Sequence, residues 1–332
     1  MQCTSVLRVI ESNPSIIATH ESFSAWLSES LEHSATHTEL PIIEVGLFSS
    51  KWSGATLATL VTALAKLPLE LLGTTRKIIP ESALIAPQCW TFKMRTQSVS
   101  LVTETLSQLE LDQADAVLMP ETTTPIRFAC FDMDSTLIKV EVIDELAKHA
   151  NVGEKVSQIT ARAMRGELDF RASFTARMAL LNGLSADVID QIRATIPLMD
   201  GAEQLIKGLV SRHIQTAIFS GGFDIFAHHV AAQLGMNAVH ANTLEVVDGA
   251  LTGTVFEPVV DAEQKLALLK HYISELNIEP SATLAAGDGA NDLLMLSHAG
   301  IGVAFHAKPL VKQQAKYAFS TQDLSALLYL LD

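Results

Sequence analysis

From residue 126 onward the sequence repeats one pattern: a short apolar run that stops on a small, acidic or histidine residue, followed by a helical stretch. "IRFACFDMD", "TAIFSGG", "ATLAAGDG" and "GIGVAFH" are such runs. Runs that are apolar at nearly every position suit parallel strands covered on both faces, whereas a half-exposed strand would alternate. Strands alternating with helices in this way predict a doubly wound α/β sheet, where ligands bind beyond the carboxyl ends of the strands. The search for chemistry is thereby narrowed to what stands at the run ends.

One segment breaks the alternation. Residues 138–200 hold "VIDELAKHA", "VSQITARAMRGE" and "FRASFTARMALLNG", all helical in character, and no convincing strand. Inserted directly after the first run, these helices would sit over its C-terminal end as a cap. Upstream, the polar run "ETTTP" at 121–125 reads as a linker. It separates a small α+β domain, about 1–120, from the α/β domain at 121–332. In the first domain, 41–50 and 89–96 read as strands and 54–67 and 100–111 as amphipathic helices, with no polar constellation of a catalytic kind. A ferredoxin-like or ACT-like unit for ligand sensing or homodimer formation is the expectation there.

With 332 residues, two domains of unequal size are expected. Lys and Arg number 23 against 37 Asp and Glu, a formal charge of −14. Nucleic acid and anionic membranes need clustered cations, so neither is expected as a partner. Cys3, Cys89 and Cys130 have no paired or metal-binding spacing, which suits a reducing compartment. The opening "MQCTSVLRVIESNPS" lacks the features of a signal peptide, and no apolar run approaches membrane-spanning length. A cytoplasmic location is expected.

Three run ends and one helix carry the chemistry. Asp132 and Asp134 lie two apart at the close of the first run, so a strand there aims both carboxylates into the crevice. At about 4 Å their repulsion is roughly 4 kcal/mol in an effective dielectric of 20, which calls for a cation or a shared proton. "GDGAND" at 287–292 adds Asp288, Asn291 and Asp292 behind turn-forming glycines. Hard oxygen ligands from two strand ends suit Mg²⁺. "SGGFD" offers the Ser220 hydroxyl and backbone amides, including that of Gly221, before a helix start, a cradle for phosphate. Lys265 stands near the start of the amphipathic "KLALLKHYI". A nucleophilic carboxylate, a second acid, a metal site, a hydroxyl and a lysine are together the parts used by phosphoryl transfer through an aspartyl-phosphate.

In this order the motifs resemble those of the haloacid dehalogenase superfamily of aspartate-dependent phosphatases. "DMDST" at 132–136 is similar to its nucleophile loop, Ser220 to its second motif, Lys265 to its third and "GDGAND" to its fourth. "FDMDSTLIKVEVIDELA", "AMRGELDFRASFTARMALL" and "GDGANDLLMLSHAGIGVAFHAKP" resemble its phosphoserine-hydrolysing branch, over about residues 126–330. The resemblance implies hydrolysis of O-phospho-L-serine to L-serine and phosphate. Asp132 would be the nucleophile and Asp134 the acid and base. Mg²⁺ would be held by Asp132, the Asp134 backbone carbonyl and Asp288. Ser220, Gly221 and Lys265 would hold phosphoryl oxygens, Asn291 would touch the substrate and Asp292 would order the site. Glu141 and Arg177 of the cap would select the amino acid, with Phe170 a weaker apolar contact. Those assignments agree with the chemistry, since a zwitterion needs an anion for its ammonium and a planar fork for its carboxylate. Glu141 also reads as a first-turn helix carboxylate, and Arg177 as one cap arginine among Arg162, Arg165 and Arg171. A response-regulator receiver would share several parts but lack the helical insertion. A degenerate phosphatase fold kept for binding would be expected to have lost one of Asp132, Asp134, Lys265 or Asp288.

Overall fold

A computed structural model of the chain describes residues 40–331, apart from 52–53, 65, 68, 82–86, 122–123 and 165–166. Cys3 and Arg165 therefore lie outside the described residues. Contacts group the chain into two units, Met1–Thr123 with Lys316–Asp332, and Thr124–Ala315. The division falls within the "ETTTP" run. That the last residues join the first unit is a feature the expected 121–332 boundary did not include.

The first unit is built in the order β1 (Ile42–Ser49), α1 (Gly54–Leu64), β2 (Leu69–Lys77), β3 (Gln88–Thr96), α2 (Val99–Gln108) and β4 (Ala114–Leu118). Its sheet runs β2-β3-β1-β4 with antiparallel pairing of β1 to β3 and β4. This is the βαββαβ arrangement of ferredoxin-like units. Strand period explains its core: Ile43, Val45 and Leu47 alternate onto one face of β1, where they meet Leu60 and Leu64 of α1 and Val102 and Leu106 of α2. Phe48 points the other way, onto Phe319 at 4.9 Å and Tyr329 at 5.9 Å between ring centroids. The returning chain is pinned by Asp115, whose carboxylate accepts the backbone N–H groups of Ser320, Thr321 and Gln322 at 2.9 to 3.0 Å.

The second unit opens with β5 (Phe128–Phe131), every residue of which is buried. Four helices follow, α3 (Val142–His149), α4 (Gly153–Met164), α5 (Phe170–Ala179) and α6 (Asp187–Arg193), in the span read as a cap. The alternation then resumes with α7 (Ala202–Ser211), β6 (Gln215–Phe223), α8 (Asp224–Leu234) and β7 (Ala238–Asn242). After a hairpin of β8 (Leu244–Val247) and β9 (Ala250–Val255) come α9 (Ala262–Glu275), β10 (Thr283–Gly287), α10 (Leu293–His298) and β11 (Ile301–Phe305). Within this unit the parallel strands run β11-β10-β5-β6-β7. β5 thus has a neighbour reached by each direction of winding, the crevice position favoured by ligands in open α/β sheets. The hairpin, absent from the sequence reading, joins the helical insertion: Gly183 donates its N–H to Leu251 O and Ala186 to Gly249 O, both at 2.8 Å.

Candidate active site

The strand ends of β5, β6 and β10 and the helices α3 to α5 enclose one cavity of about 510 Å³. Asp132, Asp134, Glu141, Phe170, Arg177, Gly221, Asp288 and Asn291, all singled out from the sequence, line it. Ser220, Lys265 and Asp292 do not. They lie fully buried behind the wall.

Asp132 follows the last residue of β5, and its own N–H is held by Ala286 O of β10 at 2.9 Å. Its Oδ1 accepts from Lys265 Nζ at 2.7 Å, and the same ammonium reaches Asp292 Oδ1 at 2.7 Å. The sequence brings this lysine there through a helix cap: Asp261 accepts the Gln264 N–H at 3.0 Å, which starts α9 one turn before Lys265. Burial opposes the charge on Lys265, but Asp132 and Asp292 outweigh it and hold the amine protonated above the usual lysine range. Burial pushes the Asp132 carboxyl up to about 8 against the pull of Lys265, with Asp292 and Asp288 adding to the rise.

Asp134 sits in the turn that enters the cap and accepts the Val142 N–H at 3.0 Å, at the start of α3. Burial, then the charges of Glu141 and Asp132, raise its carboxyl far above the usual range. Each of these effects favours the protonated form, the form a general acid needs. Gly222 backs it closely: a Cβ built there would overlap Asp134 Oδ2. β6 runs through Ser220 to Phe223, and the Ser220 hydroxyl accepts the Gly222 N–H at 2.9 Å.

The opposite wall is the cap. Glu141 precedes α3 and accepts the Ser135 hydroxyl at 2.8 Å, while Arg177 lies in the last turn of α5. Burial lowers the Arg177 guanidinium from its ordinary value, with Glu141 and Asp144 opposing the shift. A guanidinium stays charged under such a shift. Its Nε is buried without a hydrogen-bond partner among the described residues, so this cation has donor capacity unspent there. Unspent buried donors are uncommon and call for an acceptor.

The residues fit a hard divalent cation. One oxygen each of Asp132, Asp288 and Asp292 lies within 4.8 Å of the others. Asp292 is committed through Oδ1 to Lys265 and through Oδ2 to the Gly289 N–H at 2.9 Å. Asp132 and Asp288 commit one oxygen each to a lysine, which leaves the other for a metal. Burial raises Asp288 to about 6, opposed by Lys308.

Two charged wall residues escaped the sequence reading. Lys308 contacts Asp288 Oδ2 at 3.3 Å, and its own N–H is held by Asp288 O at 3.1 Å. It lay in the quoted stretch "AFHAKP", but no spacing rule connects it to a residue twenty positions earlier. Asp144 lines the cavity one helical turn from Glu141, a spacing that was legible. Burial and Glu141 raise its carboxyl.

The sequence pattern of the haloacid dehalogenase-like hydrolases matches residues 126–300. Among curated proteins, the phosphoserine phosphatase of Haemophilus influenzae is 48% identical over 200 residues, 60% of this chain and 64% of that protein. That of Streptococcus thermophilus is 45% identical over 201 residues, 60% of this chain and 94% of that protein. The matched part is thus under two thirds of the Haemophilus protein and nearly all of the Streptococcus one. A solved structure of a probable phosphoserine phosphatase from Vibrio cholerae, in unliganded form, superposes with a TM-score of 0.67 at 33% identity, covering 87% of this chain and 86% of that one. With the matched span holding the paired aspartates, the buried lysine and the acidic loop after β10, this chain belongs to the haloacid dehalogenase-like hydrolases.

Proposed function

We propose that the protein hydrolyses O-phospho-L-serine to L-serine and phosphate through a phosphoaspartate on Asp132. The observation that carries this reading is the pairing of walls in one cavity. The Asp132 and Asp134 carboxylates face a cap wall that offers both an anion, Glu141, and a guanidinium with an unpartnered donor, Arg177. A phosphomonoester joined to a zwitterion is the ligand class that uses both. The named relatives support the same substrate.

In this mechanism Asp132 attacks phosphorus, the bond from phosphorus to the serine oxygen breaks, and Asp134 gives its proton to that oxygen. Asp134, now ionised, takes a proton from water, which attacks the phosphoaspartate to release phosphate and restore Asp132. The Gly221 N–H, in the cavity wall, holds a phosphoryl oxygen, Lys265 and Ser220 would reach the others from directly behind that wall, and Lys265 in addition fixes the Asp132 carboxylate through the 2.7 Å contact. Glu141 binds the ammonium, Arg177 the carboxylate, and Asn291 the substrate beside them. Mg²⁺, held by Asp132, Asp288 and the Asp134 carbonyl, would supply charge that offsets the phosphate dianion. No helix among the described residues is long and apolar enough to cross a membrane. The thiols Cys89 and Cys130 are free and buried, which suits the reducing cytoplasm.

Phosphate release from O-phospho-L-serine, O-phospho-L-threonine and an aryl phosphate, each with Mg²⁺ and with chelator, tests the proposal. The expected outcome is chelator-sensitive turnover with kcat/KM favouring phosphoserine by more than about tenfold, or roughly 1.4 kcal/mol of discrimination. Metal-dependent turnover without preference would discard the substrate, and no turnover at all would favour a binding role for the fold.

A further inference from the structure

β7 ends on Asn242, a polar side chain only 1% exposed. Both ends of its amide are used. Nδ2 donates to Gly221 O at 2.8 Å, and Oδ1 accepts from Val260 N–H at 2.8 Å. Gly221 belongs to the end of β6, beside the catalytic crevice. Val260 immediately precedes Asp261, the N-cap of α9, whose C=O accepts the Lys265 N–H at 2.9 Å. A single buried amide therefore ties the strand end that presents the Gly221 backbone to the turn that launches the helix of Lys265.

We infer that Asn242 is a positioning residue that sets the spacing between the Gly221 backbone and Lys265, the two groups read above as holding the phosphoryl oxygens. The inference rests on that reading of the site. Asn242 is not among the residues that line the cavity, so it acts through the elements it joins. Its geometry suits the task. The two bonded groups are backbone atoms of separate segments, one on β6 and one in the turn that leads into α9, and each bond lies at the short end of the usual range. Neither partner is free to go elsewhere at no cost: Val260 is 6% exposed, and a Cβ at Gly221 would already lie 3.3 Å from Phe170 and 3.4 Å from Val260 O. Losing the amide leaves the half-buried Gly221 carbonyl and the buried Val260 N–H to find new partners by moving, and small displacements of oxygen-holding groups are costly to phosphoryl transfer.

Asn242→Asp and Asn242→Ala separate positioning from packing. The aspartate keeps the shape and the bond from Val260 N–H but turns an acceptor toward Gly221 O; the alanine loses both bonds. Binding of Mg²⁺ alone and of inorganic phosphate in the presence of Mg²⁺ would be measured by calorimetry on the full-length chain, alongside kcat. The expected result is a Mg²⁺ affinity within about twofold of the parent, since Asp132 and Asp288 are untouched. Phosphate affinity is expected to fall by about tenfold or more in the alanine variant, and at least as far in the isosteric aspartate variant, the size set by a lost buried hydrogen bond. Parent-like phosphate binding by the aspartate variant overturns the inference, as does an equal loss of Mg²⁺ and phosphate binding, or failure of both variants to fold, which would assign Asn242 to stability. If the parent itself binds Mg²⁺ but no phosphate, the underlying reading of the site fails, and this inference fails with it.

Discussion

Lys265 Nζ lies 2.7 Å from Asp132 Oδ1, with the lysine side chain wholly shielded from solvent and the aspartate nearly so. The same ammonium holds Asp292 at 2.7 Å. One cation thus serves two buried carboxyl groups, and removing it leaves both without their shared donor. Lys265→Met should lower kcat/KM by at least about a hundredfold and destabilise the fold by about 3–5 kcal/mol at pH 7, the range for breaking a buried pair. Denaturant unfolding and steady-state kinetics check both parts. A variant of parent-like stability would mean the carboxylates are neutral or otherwise held.

Gly222 has no room for a side chain. Because a Cβ there would overlap Asp134 Oδ2, Gly222→Ala should displace the carboxyl proposed as general acid. The expected effect is a fall in kcat of about 10²–10⁴, the usual worth of such a group, with a smaller change in KM. A kcat close to the parent's would remove Asp134 from proton transfer.

Arg177→Ala should raise KM for phosphoserine about 10- to 100-fold with less effect on kcat, as a charge-assisted hydrogen bond to the substrate carboxylate is worth roughly 1.5–3 kcal/mol. O-phosphoethanolamine lacks that carboxylate and should be hydrolysed by parent and variant alike. Equal losses on both compounds would place Arg177 in the architecture of the cap and not in substrate selection.

The proposed metal site couples to pH. Asp132 is raised to about 8 and Asp288 to about 6, mainly by burial, while the unfolded chain titrates near the ordinary aspartate value. In the metal-free protein these groups contribute stability below about pH 4 that is lost as pH rises through about 6 and about 8. A cation that needs both carboxylates ionised must displace their protons, so the rise in Tm caused by Mg²⁺ should be larger at pH 8 than at pH 5.5. Scanning calorimetry with and without Mg²⁺ across that range reads it directly. A pH-independent increment would show that Mg²⁺ binds elsewhere.

Much of this site was legible because a parallel sheet writes itself plainly. β5 and β10 are buried throughout and almost wholly apolar, each stops where its chemistry begins, and that run pattern pointed to them with Asp132 and Asp288 at their ends. Glu141 and Arg177 were legible only through family resemblance, since a cap acid and one arginine among several carry no local signature. What escaped was long-range. Lys308 meets Asp288 across twenty residues, and Asn242, on β7, joins Gly221 of β6 to Val260 in the turn before α9. Asp115 binds three amides more than two hundred residues away, so nothing in its neighbourhood announced that the last residues would complete the first unit. The β8–β9 hairpin was missed because "LEVVDGALTGTV" is half exposed and lacks the apolar run that marked the other strands.

The central claim is that Asp132 carries the phosphoryl group between serine and water. Rapid acid quenching of the enzyme mixed with Mg²⁺ and phosphorus-labelled O-phospho-L-serine tests it most directly, with the labelled peptide identified by mass spectrometry. The expected result is burst labelling of the peptide that contains "FDMDST", absent from Asp132→Asn. Turnover of phosphoserine with no labelled protein at any quench time, or labelling that survives in Asp132→Asn, would contradict it.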